Sequence, residues 1–183
     1  MTPTLYFLRS SEQKILDTML WPAFRLHKQD KTQEDFPALR IHADFFGHSD
    51  KDFGLYALVD NTIAGAIWCR ILKAEQNANG FIDANTPLMH TIVVEAYRNQ
   101  GIGTFMMEQF LQEVAVLYPQ LSLCVLQESK AIGFYKKFGF TQVNGKKEQS
   151  PIDGQDVVTL VKKLQKKEIQ RPSDGYDASR WMD

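Results

Sequence analysis

The 183 residues carry 21 Lys and Arg against 22 Asp and Glu, a formal net charge of −1, with 44% hydrophobic and 23% charged residues. A chain of this length buries most of its apolar surface, and its near-neutral balance argues against a broad surface for nucleic acid or anionic lipid. No apolar run reaches the length of a membrane span and the first residues lack the basic-then-apolar layout of a secretion signal, so residence in the cytoplasm is expected.

In chain order, 4–9 reads as a first strand, and Ser10 or Ser11 can cap a helix running to about Leu20, where Trp21-Pro22 interrupts it. A second helical region is expected from Thr32 to Phe46, with Thr32 as N-cap and Pro37 as an interior residue able to kink or split it. After a loop at 47–52, strand-like runs at 53–59 and 63–72 flank Asp60-Asn61, residues suited to a tight hairpin turn. A polar loop at 73–80 leads to a β-branched strand at 89–94. Met107, Phe110, Leu111, Val114 and Tyr118 then recur at helical spacing, and 121–126 reads as a buried strand. A short helix from Ala131 closes on Gly139, placed for a left-handed C′ position with Phe140 folding back on the last turn. Strand-like residues to Val143, turn signals at Asn144-Gly145 and Asp153-Gly154, and a final strand at 157–164 complete a domain over 1–164.

From Gln165 the chain turns polar and is punctuated by Pro172 and Gly175, so 165–183 is expected to be a tail. Tyr176, Trp181 and Met182 near its end are unusual for a solvated terminus, so Trp181 and Met182 are expected to dock, either over the same domain or across a homodimer contact, with a disordered end as the alternative. Cys69 and Cys124 fall in expected strands without metal-ligand partners nearby, which predicts buried thiols and no metal site.

The chemistry-bearing segment is Thr91-Ile92-Val93-Val94-Glu95-Ala96-Tyr97-Arg98-Asn99-Gln100-Gly101-Ile102-Gly103-Thr104, a strand that breaks into a glycine loop and opens a helix. Backbone N–H groups at a helix start lack intrahelical partners, and with the positive end of the helix dipole they favour an anion. A Cβ at 101 or 103 would hold a diphosphate away from those donors. Gly-x-Gly also closes ordinary strand-to-helix turns. A Gly-Lys-Ser/Thr ending is absent, and the third glycine of a dinucleotide fingerprint would fall at Met106, so two rival phosphate loops are excluded.

Arg98-x-x-Gly101-x-Gly103 after a strand resembles the acyl-CoA loop of the GNAT superfamily of N-acyltransferases, and Ala131-x-x-Phe134-Tyr135-x-x-x-Gly139-Phe140 is similar to that family's second signature. Asp83-x-x-Thr86-Pro87 looks like a feature of one bacterial subgroup, and the resemblance spans roughly 53–143. It implies an α/β (α+β) fold with a mixed, mostly antiparallel sheet flanked by helices, in which the strands at 89–94 and 121–126 run parallel and splay apart. The implied cosubstrate is acetyl-CoA. Its diphosphate would lie on Arg98, Asn99, Gln100, Gly101, Ile102, Gly103 and Thr104, and its pantetheine arm along open backbone of Ile92, Val93 and Val94, with Ser129 and Phe134 as further contacts. The same strand run is equally a core strand. Lys130, Lys136 and Lys137 supply local positive charge.

The resemblance further implies transfer of an acetyl group from the thioester to a primary amine. Amides near Val93 and Val94 are placed to stabilise the oxyanion, and Tyr135 to protonate the leaving thiolate. A packed helix aromatic is the alternative role for Tyr135. The position that usually supplies a general-base Glu holds Leu88, which leaves His90 and Glu95 as candidates. Glu128 stands where the family usually has a cofactor-holding Asn, a contact that Ser129 can take over. The acceptor side is expected to include Trp21, Phe24, Phe36, Phe45, Phe46 and Trp68, most of them core. A catalytically weak acyl-CoA-binding or regulatory module of the same fold is the alternative function.

Overall fold

The computed structural model describes residues 3–26 and 30–172. One eight-stranded sheet organises them, with β1 (Thr4–Phe7), β2 (Phe53–Val59), β3 (Thr62–Arg70), β4 (Leu88–Val93) and β5 (Gln120–Leu126) side by side in that order. β8 (Asp156–Lys163) lies beyond β5 and carries β6 (Thr141–Gln142) and β7 (Glu148–Gln149). Every pairing is antiparallel except β4 with β5, which touch at one register position, Leu88 opposite Ser122, and then part. The Ser122 N–H donates to the Pro87 carbonyl at 3.0 Å at the point where the strands still meet. This is the mixed, mostly antiparallel sheet with a splayed parallel pair that the resemblance implied.

Alternation along β3 divides the core. Ile67 and Cys69 face one side with Met106, Met107, Phe110 and Val114 of α2 (Ile102–Leu117), while Ala66 and Trp68 face the other with Leu16, Met19 and Leu20 of α1 (Gln13–Ala23). The fully buried α2 side chains each contribute about 1.5–3 kcal/mol of burial. α3 (Ala131–Lys137) packs on the α2 side through Ile132, Phe134 and Tyr135.

Local chemistry explains most element ends. Asp60 and Asn61 adopt φ of 49° and 63°, the paired positive values of a tight hairpin. After α3 the Gly139 N–H bonds the Lys136 carbonyl at 3.0 Å and the Phe140 N–H bonds Tyr135 at 3.2 Å, with Gly139 at φ 88°, so the expected C-terminal closure forms in full.

Three expectations need correction. Neither serine caps the first helix. Ser10–Glu12 forms a 3-10 turn in which the Glu12 carboxylate accepts from the Arg9 N–H at 2.8 Å, and α1 then runs through Pro22 to Ala23, because a proline in the last turn removes a single bond. The region 32–46 is no continuous helix: Pro37 divides it into 3-10 turns at Gln33–Asp35 and Pro37–His42, with Thr32 at the N-cap position as expected. The short strand β7 was not anticipated.

Cys69 and Cys124 are free thiols. The start of the tail lies along α2: Arg171 grips the buried Glu113 carboxylate at 2.9 and 3.1 Å, and its guanidinium stands 5.9 Å from the Phe7 ring centre. The expectation for Trp181 and Met182 falls outside the described residues.

Candidate active site

Gly101 takes φ 82° and opens α2, with the Phe105 N–H closing the first helical bond onto its carbonyl at 3.0 Å. The N–H groups of Ile102, Gly103 and Thr104 therefore have no acceptor within the helix. A Cβ on Gly101 would meet nothing within 4 Å, and one on Gly103 would meet only Val93 Cγ2 at 3.6 Å and Phe134 Cζ at 3.8 Å. The space above the donors is open, which is the fit an anionic group held by backbone requires. It forms part of a cavity of about 440 Å³ lined by Arg98, Asn99, Gly101, Ile102, Gly103 and Thr104, with Thr91, Ile92 and Val93 on one wall and Ala131, Phe134 and Tyr135 on another. Gln100 and Val94 do not line it. The Gln100 amide folds back on the Ala96 carbonyl at 3.3 Å.

The open-backbone expectation holds for alternate residues only. The Val94 N–H donates to Ala64 at 2.8 Å, so Val94 faces β3, as does Ile92, which pairs with Ala66. Antiparallel alternation turns the N–H and C=O groups of Thr91 and Val93 the other way, toward the gap left by β5. The Val93 carbonyl is already engaged by Arg98 Nε at 3.1 Å, which leaves its N–H as the donor facing the gap.

Behind the gap lies a second cavity, of about 470 Å³, on the α1 side of the sheet. It shares Thr91, Ala131 and Tyr135 with the first, so the two cavities adjoin where the strands part. His90 lines it beside a histidine that sequence reasoning passed over: His90 Nε2 and His42 Nδ1 lie 2.9 Å apart, with ring centres separated by 4.5 Å. Phe24 and Trp68 pack against His90 at 5.4 and 5.3 Å. Burial, with Arg70 next, pushes the His90 imidazole down to about 4, while burial, then His90 and Arg70, hold His42 well below the ordinary histidine range. Both rings are neutral at pH 7.

His42 reaches this place because β3 anchors the turn that carries it. Trp68 Nε1 donates to the His42 carbonyl at 2.8 Å, and Arg70, paired with Asp52, donates to the Ile41 and Asp44 carbonyls at 2.9 and 2.7 Å. No local signal marks His42, since its partners lie 26 to 48 positions away.

The remaining candidates separate. Tyr135 lines both cavities. Burial raises its phenol to about 12, and among the described residues none hydrogen-bonds its hydroxyl. Glu95 is exposed in the 3-10 turn Glu95–Tyr97 and lines neither cavity. Ser129 lines the second cavity, and its hydroxyl oxygen accepts from the Ala131 N–H at 3.1 Å. Glu128 is exposed, and Leu88 is buried in β4. Of the acceptor-side aromatics only Phe24 and Phe36 line the second cavity. Trp21, Phe46 and Trp68 are core, and Phe45 is 75% exposed. Cys124 also lines it, with its thiol pushed up to about 12 by burial. Among the described residues no cluster of three or more His, Cys, Asp or Glu can hold a metal, and no helix is long and apolar enough to cross a membrane.

The family model for the acetyltransferase (GNAT) domain matches residues 51–142, and the chain belongs to this family, whose chemistry is acyl transfer. Similar solved structures include an acetyltransferase of the GNAT family from Streptococcus pneumoniae, 17% identical with a TM-score of 0.63 over 89% of this chain and 99% of that one. The ribosomal-protein-S18-alanine N-acetyltransferase from Escherichia coli is 13% identical with a TM-score of 0.63 over 93% and 99% of the two chains. A putative phosphinothricin N-acetyltransferase is 18% identical with a TM-score of 0.66 over 90% and 100%. These likenesses concern the fold. No match is found among curated proteins.

Proposed function

We propose that the chain moves an acetyl group from acetyl-CoA to a primary amine, with 1–164 as the catalytic domain, 165–183 as an appended tail, and the cytoplasm as its setting. The observation that carries this reading is the meeting of two cavities at Thr91 and Tyr135 where β4 and β5 part. A module that only bound acyl-CoA would need the first cavity alone.

In this reading the diphosphate lies on the N–H groups of 102–104, and the pantetheine arm pairs with Thr91 and Val93 in place of the missing strand. A neutral amine attacks the thioester carbon from the second cavity. The Val93 N–H faces the oxygen on which charge develops, and because it is fixed beforehand it needs no reorganisation. The carbon–nitrogen bond forms, the carbon–sulfur bond breaks, and the proton leaves the nitrogen for His90, whose neutral state is secured by burial. A base this weak cannot deprotonate a free ammonium ion, so the amine must arrive deprotonated, and the proton moves as the carbon–sulfur bond breaks and the nitrogen becomes that of a protonated amide, whose N–H is strongly acidic. Tyr135 donates a hydrogen bond to the departing thiolate. Complete transfer from a phenol at about 12 to a thiolate whose thiol has a pKa of about 8.5 is uphill, so the hydrogen bond itself is the contribution.

Incubation with acetyl-CoA and a panel of primary amines, read as thiol release and as N-acetylated product by mass spectrometry, tests the proposal. Stoichiometric thiol and amide are expected. Tight acetyl-CoA binding without product across the panel would favour the binding module.

A further inference from the structure

The second cavity has a chemical character of its own. Its apolar walls include Phe24, Phe36, Leu39 and Ile41, and its polar rim consists of the uncharged amides of residues such as Gln76 and Asn79. Two charged side chains line it among the described residues, and only the cation is ion-paired. Arg25 pairs with Asp153 at 3.5 Å, and the Asp35 carboxylate accepts the Thr32 N–H at 2.7 Å. The histidines at its floor are neutral. A carboxylate on the acceptor would therefore lose its water and find no unpaired cation among the described residues, a costly transfer, whereas the exposed Asp35 keeps its negative charge at the rim. Phe24 meanwhile packs against both rings of the histidine pair, at 5.2 Å from His42 and 5.4 Å from His90. A ring or alkyl chain seated against Phe24 thus brings its own amine beside His90. The volume of about 470 Å³ suits one small molecule.

Resting on the acyl-transfer reading above, we infer that the acceptor is a small primary amine whose other end is a short apolar or aromatic group without a carboxylate. Rim amides accommodate a neutral hydroxyl or carboxamide at its far end. An amino acid brings a carboxylate for which the described residues offer no unpaired cation, a polyamine has no uncharged end to seat against Phe24, and a lysine-bearing peptide exceeds a cavity of about 470 Å³.

The test measures acetyl-CoA-dependent thiol release by the full chain with phenethylamine, spermidine, β-alanine and a lysine-containing peptide. Phenethylamine is expected to show a kcat/KM about tenfold or more above the others. Phe24→Ala should raise its KM about tenfold, and Phe24→Leu by less, with the KM for acetyl-CoA unchanged. Thermal melts identify variants that fail to fold, for which Phe36→Leu provides the same readout. A preference for spermidine, β-alanine or the peptide would overturn the inference, as would an unchanged phenethylamine KM in folded Phe24 variants. A separate arm measures binding of phenethylamine and spermidine by calorimetry in the presence of CoA. If no amine releases thiol, acyl transfer fails, while phenethylamine binding that weakens in Phe24→Ala still supports the cavity assignment, and tighter spermidine binding rejects it.

Discussion

The two cavities on either side of the parted strands are nearly equal in size, about 440 and 470 Å³, and are built in opposite ways. The first comes from two short stretches, 91–104 and 131–135, and includes the free N–H groups that open α2. The second draws single side chains from α1, the turn Pro37–His42, the loop after β3, β4, β5 and the segment beyond β7. A site made of backbone needs only a strand end, two glycines and a helix start, so its requirements are local. A site made of side chains from distant segments can change character without changing the fold. In the proposed reading the first cavity serves the cosubstrate and the second the acceptor.

That contrast is broken most severely at His90. His90→Gln should lower kcat about a hundredfold or more, in the range that general bases supply, with the dissociation constant for acetyl-CoA unchanged. Calorimetry beside steady-state rates separates the two, and a loss of cosubstrate binding would show that the cavities are not independent. Because His90 is neutral down to about 4, kcat/KM should rise with pH along the amine's own titration, with no acid limb from His90 above about pH 5.

The complementary break is at Gly103. A valine there projects into open cleft, since no protein atom lies closer than 3.6 Å to the new Cβ. The acetyl-CoA dissociation constant should rise about tenfold to a hundredfold, the equivalent of one displaced charge-assisted hydrogen bond, with the melting temperature retained. Gly101→Val is the less clean variant, because φ 82° strains any side chain placed there.

Tyr135 belongs to both cavities, so its removal sharpens the comparison. Tyr135→Phe should lower kcat about tenfold, the loss of one hydrogen bond to a developing anion, with both KM values nearly constant. Equal kcat with an acceptor for which chemistry limits the rate would return the residue to packing against Phe134 and Phe140, whose ring centres lie 5.4 and 5.9 Å away.

The smallest effect concerns stability. An unfolded chain protonates His90 near 6.5, whereas the folded chain resists to about 4, so between these values the unfolded state binds more protons and stability falls as pH falls. His42 shifts in the same direction. The charged group facing the pair is Arg70, itself paired with Asp52, while Phe24 and Trp68 cover it without charge. The melting temperature should drop by a few degrees on moving from pH 7 to pH 5, and His90→Gln should flatten that slope. A slope identical in the variant would remove the pair as its cause.

Legibility in the sequence follows the same division. Asp60-Asn61, Gly139-Phe140 and the run through Gly103 encode their geometry within a few residues, which is why the hairpin, the α3 closure and the loop stand where expected. Val94 was misjudged because ladder parity depends on its partner strand, and the bond to Ala64 cannot be read from 94 alone. His42 was missed because its position depends on Trp68 and Arg70, and Pro37 obscured the turns that carry it. The second cavity is a tertiary product throughout, so neither the meeting of His42 with His90 nor the engagement of Arg25 by Asp153 had a local signal.

The central claim is that both substrates meet at Tyr135 and that the acyl group passes directly between them. Cys124, a nucleophile by type, lines the second cavity, and burial pushes its thiol up to about 12, which disfavours the thiolate that an acylated chain would require. Initial rates measured over a grid of acetyl-CoA and amine concentrations test this most directly. Intersecting double-reciprocal lines, the mark of a ternary complex, are the predicted result. Parallel lines, with an acetylated chain trapped when the amine is withheld, would contradict it.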